Sequence, residues 1–327
     1  MDKSGRLLII AAAAFAMLFL AGCTIPDLTE KGNLPKNLSV VQVPLPLPPT
    51  PLPPQQPHSP STPSIVFLNV GMGESTLLVS SQGAILIDAG PDIDAVALRS
   101  ALSYYGVSKL GLVAITRPTK EHYGGLRMIY SAFQVPRVIT SGAQGDLDYN
   151  NLTLELAKNK VALEDVAQGW SENVSGFELT VLNPPANATI GANDARDSLV
   201  LLVKKDGVCA LLMSDTQGAG GTPENPGTVF GGVESTIASM PSVKNCQILR
   251  VGDYASANTA SFQLLDAMKP KYAIISVGQN SNDLPSQVAI TRLQLRNISV
   301  FRTDIAGDVL VVAGQNNSFV VKGSNAG

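Results

Sequence analysis

Histidine is almost missing from this chain, with only His58 and His122 in 327 residues, beside three cysteines and one tryptophan. A protein zinc centre ordinarily takes three or four His, Cys or carboxylate ligands, with nitrogen and sulfur preferred, so this scarcity excludes a histidine-rich centre. Aromatic residues make up 5% and charged residues 15%, and the formal net charge is −3. A mildly acidic chain lacks the basic footprint that binding a phosphate backbone requires, which sets nucleic acid aside as a partner. What the sequence does have is apolar content, 45%, enough for one large core or two ordinary ones.

One long hydrophobic run stands out, from Leu7 to Gly22, preceded by Lys3 and Arg6 and followed by Cys23. This is the build of a secretory signal. Leu20-Ala21-Gly22-Cys23 matches the lipobox of prokaryotic lipoproteins, which implies cleavage before Cys23, lipid attachment to it, and a membrane partner reached through that lipid. The run is shorter than a spanning helix of about 20 residues; the alternative is an uncleaved N-terminal anchor. Either reading places the rest of the chain at the extracytoplasmic face.

From Pro44 to Pro63 proline fills half of the positions. Such a stretch is expected to be an extended stalk reaching roughly 60 Å, at about 3.1 Å per residue, rather than a ligand for a proline-binding module. His58 belongs to this stalk, leaving His122 as the single histidine of the folded part. The expected organisation is a signal peptide at 1–22, a lipidated N-terminus and Pro-rich linker at 23–63, and one domain at 64–322.

Beyond Ser64 short apolar strands alternate with helical segments. SIVFLNV, STLLVS and AILIDAG read as strands, with a helix from Ile93 to Tyr105. LGLVAIT is a further strand, and a glycine pair, Gly124-Gly125, opens a helix to Phe133. SLVLLVKK and GVCALLMSD form a hairpin closed by Asp206-Gly207. The strands FELTVLN, CQILRVG, YAIISVG, ISVFRTD and GDVLVVAG follow among helices, so the fold class is α/β, a two-sheet sandwich flanked by helices. Cys209 and Cys246 sit inside apolar runs with no metal-motif spacing; they read as buried thiols, or as a disulfide if their strands are neighbours. Six N-x-S/T sequons, at Asn37, Asn151, Asn173, Asn187, Asn297 and Asn316, lend mild support to a surface location.

The blocks FLNVGMGESTLLV, ILIDAGP, ITRPTKEHYGGL, NDARDSLVLLV, LLMSD, ILRVGDYASANTAS and KPKYAIISVGQN occur in that order. Over about Ser64 to Val321 this series resembles the metallo-β-lactamase superfamily, and most closely the extracytoplasmic β-lactamase-like domain of the ComEC family of DNA-uptake proteins. The resemblance implies a four-layer αββα sandwich and a dinuclear metal site. Residue by residue the ligands mostly fail to carry over. In the family pattern T-H-x-H-x-D-H-x-G-G, Thr116, His122, Gly124 and Gly125 are kept; Arg117 and Thr119 replace histidines, and Glu121 replaces the aspartate. Asp215 keeps the metal-bridging position, while Asp253 and Tyr254 replace the histidines of the later H-H-G-S block.

The candidate metal ligands are therefore Glu121, His122, Asp215 and Asp253, the first three also being the candidate catalytic groups, with Asp88 either bonding turn amides or supporting the site from behind. Arg117 and Lys120 bring cations into the ligand loop, where they neutralise carboxylates in place of an ion, and Arg117 is expected to pair with Asp215 or Asp253. Asp304 reads as a turn or network residue and not as a ligand. No cofactor is expected; the alternative is one divalent ion, Zn, Mn or Mg. Two functions follow: a binding or accessory module for an envelope protein or polymer, or a metal-dependent hydrolase of phosphodiesterase type.

Overall fold

A computed structural model describes residues 62–325 apart from 192–193, 219–231 and 315–317. The signal segment, Cys23 and nearly all of the Pro-rich stretch, with His58, lie outside the described residues.

Fifteen strands appear among the described residues. The first six are β1 (Ser64–Phe67), β2 (Thr76–Ser80), β3 (Gly83–Ile87), β4 (Leu110–Ala114), β5 (Arg137–Thr140) and β6 (Ala162–Asp165). Then come β7 (Ser171–Val174), β8 (Phe177–Asn183), β9 (Val200–Lys205), β10 (Val208–Leu212) and β11 (Ile248–Arg250). The last are β12 (Tyr272–Ile275), β13 (Ser299–Arg302), β14 (Val309–Ala313) and β15 (Phe319–Gly323). They form two sheets, ordered β15-β14-β1-β2-β3-β4-β5-β6 and β13-β12-β11-β10-β9-β8-β7.

The alternation of side chains along each strand decides what lies between the sheets. Ile65 and Phe67, Ile85 and Ile87, Leu112 and Ala114 face Leu199 and Leu201, Ala210 and Leu212, Ile248 and Ile274 in a buried inner core. The opposite parity, Val66, Leu77, Leu86 and Val113, packs under helices α1 (Ala95–Tyr104), α3 (Leu126–Ala132) and α4 (Leu147–Lys158). On the second sheet Leu202, Leu211 and Leu249 pack under α5 (Gly232–Ala238), α6 (Phe262–Met268) and α7 (Gln287–Gln294). Because both faces of each sheet are covered, the central strands read as unbroken apolar runs. The architecture is the four-layer αββα sandwich.

The glycine pair opens a helix as expected, Gly125 capping α3 and Phe133 ending it, directly after the single turn α2 (Lys120–Tyr123). A Cβ on Gly125 would stand 2.3 Å from the Ala89 carbonyl, and one on Gly124 2.5 Å from the Asp92 amide. Close approach of the 88–92 loop demands glycine at this helix start. The Asp206-Gly207 hairpin forms as expected, both residues having positive φ. β10 and β11 are parallel neighbours, and Cys209 and Cys246 at their N-terminal ends are joined in a disulfide. Among the described residues no helix is long and apolar enough to cross a membrane.

Candidate functional site

Strands β3, β4, β5 and β6 run parallel, as do β10, β11, β12 and β13, so their C-terminal ends gather loops along one edge of each sheet. That is where open α/β sheets present functional groups. Asp88 follows β3, Thr116 follows β4, Ser214 and Asp215 follow β10, and Asp253 follows β11. Backbone strain concentrates here: Asp88, Ser214, Asp253, Tyr254 and Ala255 all have positive φ.

Strand parity carries the inner face beyond the apolar core. Thr116 continues Leu112 and Ala114, Ser214 continues Ala210 and Leu212, and Arg250 continues Ile248. Thr116 and Ser214 meet across the sheets, Oγ1 to Oγ at 2.7 Å. Thr116 also donates its hydroxyl to Asp88 Oδ2 at 2.8 Å, and its amide donates to Asp88 Oδ1 at 2.8 Å. Asp88 is thus a supporting residue with both oxygens engaged, beyond the turn role the sequence left open.

His122 lies at the centre, fully buried. Its Nδ1 is 3.2 Å from Asp88 Oδ2, 3.1 Å from Thr116 Oγ1 and 3.7 Å from Glu74 Oε2. Its Nε2 is 3.2 Å from Asp215 Oδ1. Since the one proton of Thr116 Oγ1 goes to Asp88, both ring nitrogens face acceptors, the arrangement that suits an imidazolium. Burial opposes that charge, but Asp215 and Asp88 outweigh it and hold the His122 pKa well above its ordinary value. Burial likewise opposes ionisation of Asp215, yet His122 and Arg117 win, and its pKa lies well below the usual carboxylate range.

Two guanidinium groups complete the cluster. Arg117 Nη1 bonds Asp215 Oδ2. Arg250, fully buried, places Nη2 2.5 Å from Glu74 Oε2 and Nη1 3.7 Å from Asp88 Oδ2. Burial pushes the Glu74 carboxyl up to about 7, with Arg250 and His122 pulling the other way. The result is three acids, Glu74, Asp88 and Asp215, set against three bases, His122, Arg117 and Arg250.

The remaining candidates take other places. Glu121 contributes its backbone carbonyl, which accepts from the Glu74 amide at 3.0 Å. Asp253 accepts from Gln217 Nε2 at 2.5 Å and is kept near by Ser214, whose carbonyl accepts from the Asp253 amide. Lys120 is corrected: it is no pocket cation, since its side chain is 52% exposed and its nearest acid, Asp148, is 4.0 Å away. As the first residue of α2 it projects outward, while Glu121 and His122 turn back to the loops. Asp304 pairs with Arg302 two residues before it and does not reach the site. Tyr254, in a histidine's place, is buried, and its hydroxyl has no hydrogen-bond partner among the described residues.

Glu74 and Arg250 escaped the sequence reading. Both lie in the blocks FLNVGMGESTLLV and ILRVGDYASANTAS quoted above, but their pairing is invisible until the strands are paired. Also missed was the clamp on the 253–261 loop. Glu234, fully buried, accepts the amides of Ala260 and Ser261 at 2.8 and 2.7 Å, and Arg292 Nη1 donates to the carbonyls of Ala257 and Thr259 at 2.8 Å.

Among the described residues one group of donors is close enough to hold an ion: Glu74, Asp88 and His122, with atoms within 4.8 Å of one another. This set is not the one read from the sequence. Its fit is poor, because Arg250 stands against Glu74, Thr116 holds both oxygens of Asp88, and only one nitrogen ligand is offered.

No family model matches the chain. It is 23% identical over 263 residues to ComE operon protein 3 of Bacillus subtilis (strain 168), covering 74% of this chain and 32% of that protein. It is 24% identical over 248 residues to Competence protein ComA of Neisseria gonorrhoeae, covering 75% and 31%. The chain thus spans about a third of the length of these relatives. Among solved structures, the metallo-β-lactamase fold protein YhfI from Bacillus subtilis aligns with a TM-score of 0.51 at 11% identity, over 76% of this chain and 98% of that one. CmlA, a diiron β-hydroxylase from Streptomyces venezuelae, aligns with a TM-score of 0.50 at 10% identity, over 77% and 54%. The sandwich with its loop-borne cluster is a metallo-β-lactamase fold. In sequence the chain is similar to the two competence proteins.

Proposed function

We propose that this chain is a lipid-anchored, extracytoplasmic accessory module of the metallo-β-lactamase fold whose dinuclear metal site has been replaced by side-chain charge. The observation that carries this is the balanced cluster: each buried carboxylate has a cationic side chain as neighbour, and both nitrogens of His122 face acceptors. A divalent ion would need His122 as a neutral ligand and the Asp215 oxygens free of Arg117. Arg117 and Asp253 are the partly exposed charged groups of the site, and the module's work is binding, of an envelope protein or polymer. The names of the relatives, ComE operon protein 3 and Competence protein ComA, support a role in competence.

A second reading rests on the Glu74, Asp88 and His122 group, which supports one divalent ion, Zn, Mn or Mg, and a hydrolase of phosphodiesterase type. Metal analysis of the purified protein, joined to phosphodiesterase and lactamase assays, separates the two. The accessory reading expects far less than one ion per chain and no turnover. Stoichiometric metal that disappears together with activity in His122→Ala selects the hydrolase.

A further inference from the structure

We infer that the last turns of the Pro-rich stretch, Pro54 to Pro63, pack back onto an aromatic cluster of Phe319, Tyr272 and Phe301, so that the domain holds its own stalk.

The sequence of the stretch supplies the first argument. A proline recurs at every third position, at Pro48, Pro51, Pro54, Pro57, Pro60 and Pro63. A polyproline helix has three residues per turn and rises about 3.1 Å per residue, so these prolines form one ridge with a repeat of about 9 Å. Between Pro54 and Pro63 the other two faces carry only polar side chains, Gln55, Gln56, His58, Ser59, Ser61 and Thr62. The final turns are thus amphipathic, a pattern that a bare spacer does not need.

The second argument is where the stretch ends. Pro63 is half-buried, and its carbonyl accepts from the Ala313 amide at 3.1 Å. Ala313 is paired on its other side with Phe319 of β15. The Phe319 ring meets Tyr272 of β12 across the sandwich, edge to face with centroids 5.8 Å apart, and Tyr272 is 6.3 Å from Phe301 of β13. All three rings are partly exposed. β15 and β13 are the outermost strands of their sheets, with no strand beyond them among the described residues. The inner core therefore reaches solvent through these rings, beside the point where the ridge enters the fold.

Aromatic-lined grooves accept polyproline helices because the helix is already ordered and loses little entropy on docking. Rings in steps of 5.8 and 6.3 Å can seat two ridge prolines about 9 Å apart. Proline also suits the cover of a free strand edge, since it has no N–H with which to extend the sheet. β1 runs parallel to β3, both being antiparallel to β2, so it starts at the end of the first sheet opposite the Asp88 loop. A stalk held there turns the charged edge away from the point of attachment, as the binding role proposed above requires; the docking itself does not depend on that role.

The test is hydrogen exchange of the full chain read by mass spectrometry, with the ring signal of His58, one of two histidines, as a second readout in proton–carbon spectra. It compares wild type with the ridge variant Pro54→Ala/Pro57→Ala/Pro60→Ala, the polar-face variant Gln55→Ala/Ser59→Ala/Ser61→Ala, and Tyr272→Leu/Phe319→Leu, which keeps apolar volume but removes two rings. The ridge variant is expected to exchange faster in β13 and β15 and to show a sharp His58 signal, the polar-face variant to match wild type, and the leucine variant to show the sharp signal in a folded domain. Equal exchange in wild type and ridge variant overturns the inference, as does a sharp His58 signal already in wild type or an equal response in the polar-face variant. Protection that grows with protein concentration assigns the groove to the stalk of a second copy and overturns self-docking. If the leucine variant unfolds, the ridge variant, which leaves the core untouched, still decides.

Discussion

His122 is held between burial, which disfavours its charge, and two carboxylates at 3.2 Å, which favour it; the carboxylates prevail. Linkage turns this into a pH dependence. A histidine whose folded pKa is raised contributes stability that is fully present below its unfolded value, about 6.5, and that is lost as pH rises through the folded value. Asp215 acts oppositely: its depressed folded pKa contributes stability present above about pH 3.9 and lost as pH falls through the folded value. For these two groups stability is greatest between these limits, while Glu74, raised by burial from 4.5 to about 7, adds a loss as pH rises across that interval. Chemical denaturation of wild type at a series of pH values is expected to show stability declining above about pH 6.5. His122→Gln flattens that limb and also weakens the acid limb, because His122 helps to hold the Asp215 pKa down; an unchanged alkaline limb in the variant would show that His122 does not carry the charge.

Above single residues, the elements show which parts of the design could be read in advance. β1 to β4 and β8 to β14 were legible, most of them because a strand covered on both faces is a dense apolar run. β6 and β7 were not: as edge strands, with the sequences ALED and SENV and largely exposed side chains, they have no apolar face to announce them. β15 was missed for a similar reason, being the half-exposed edge of the first sheet. The ligand loop was legible as a family signature, and Arg117 as its cation, because both lie within one contiguous block. Glu74 and Arg250 could not be paired from sequence, since their contact depends on which strands face each other. The Glu234 and Arg292 clamp is similar, joining α5 and α7 to a loop between them. Glu234→Ala leaves two buried amides without acceptors, and at about 1–3 kcal/mol for an unsatisfied buried group the domain should be destabilised by several kcal/mol in urea. The Cys209–Cys246 bridge, closing a separation of 37 residues, ties β10 to β11 at the ends away from the site. Reduction, or Cys209→Ala/Cys246→Ala, should lower stability by about 3–4 kcal/mol on the chain-entropy estimate without altering metal content.

For the whole molecule the cluster is a bridge between the two halves of the sandwich. Glu74 and Asp88 belong to loops of the first sheet, Arg250 ends β11 of the second, and the Thr116 to Ser214 bond crosses the same gap. In most of the inner core the sheets are joined by apolar contact, which is non-directional; at this edge the contact is ionic and fixes how the sheets register. The loss of either partner is therefore unequal to the loss of both. Glu74→Ala would strand the Arg250 guanidinium in a fully buried position, and breaking such a pair costs about 3–5 kcal/mol. Replacing both, as Glu74→Leu/Arg250→Met, substitutes apolar volume for the pair and should recover much of that loss. Urea midpoints for the single and double variants form a double-mutant cycle whose coupling energy measures the bridge. Additive effects, with no recovery in the double variant, would mean that Glu74 and Arg250 act separately and that the sheets are held at this edge by the pairs of Asp215 with His122 and Arg117 and by the Thr116 to Ser214 contact.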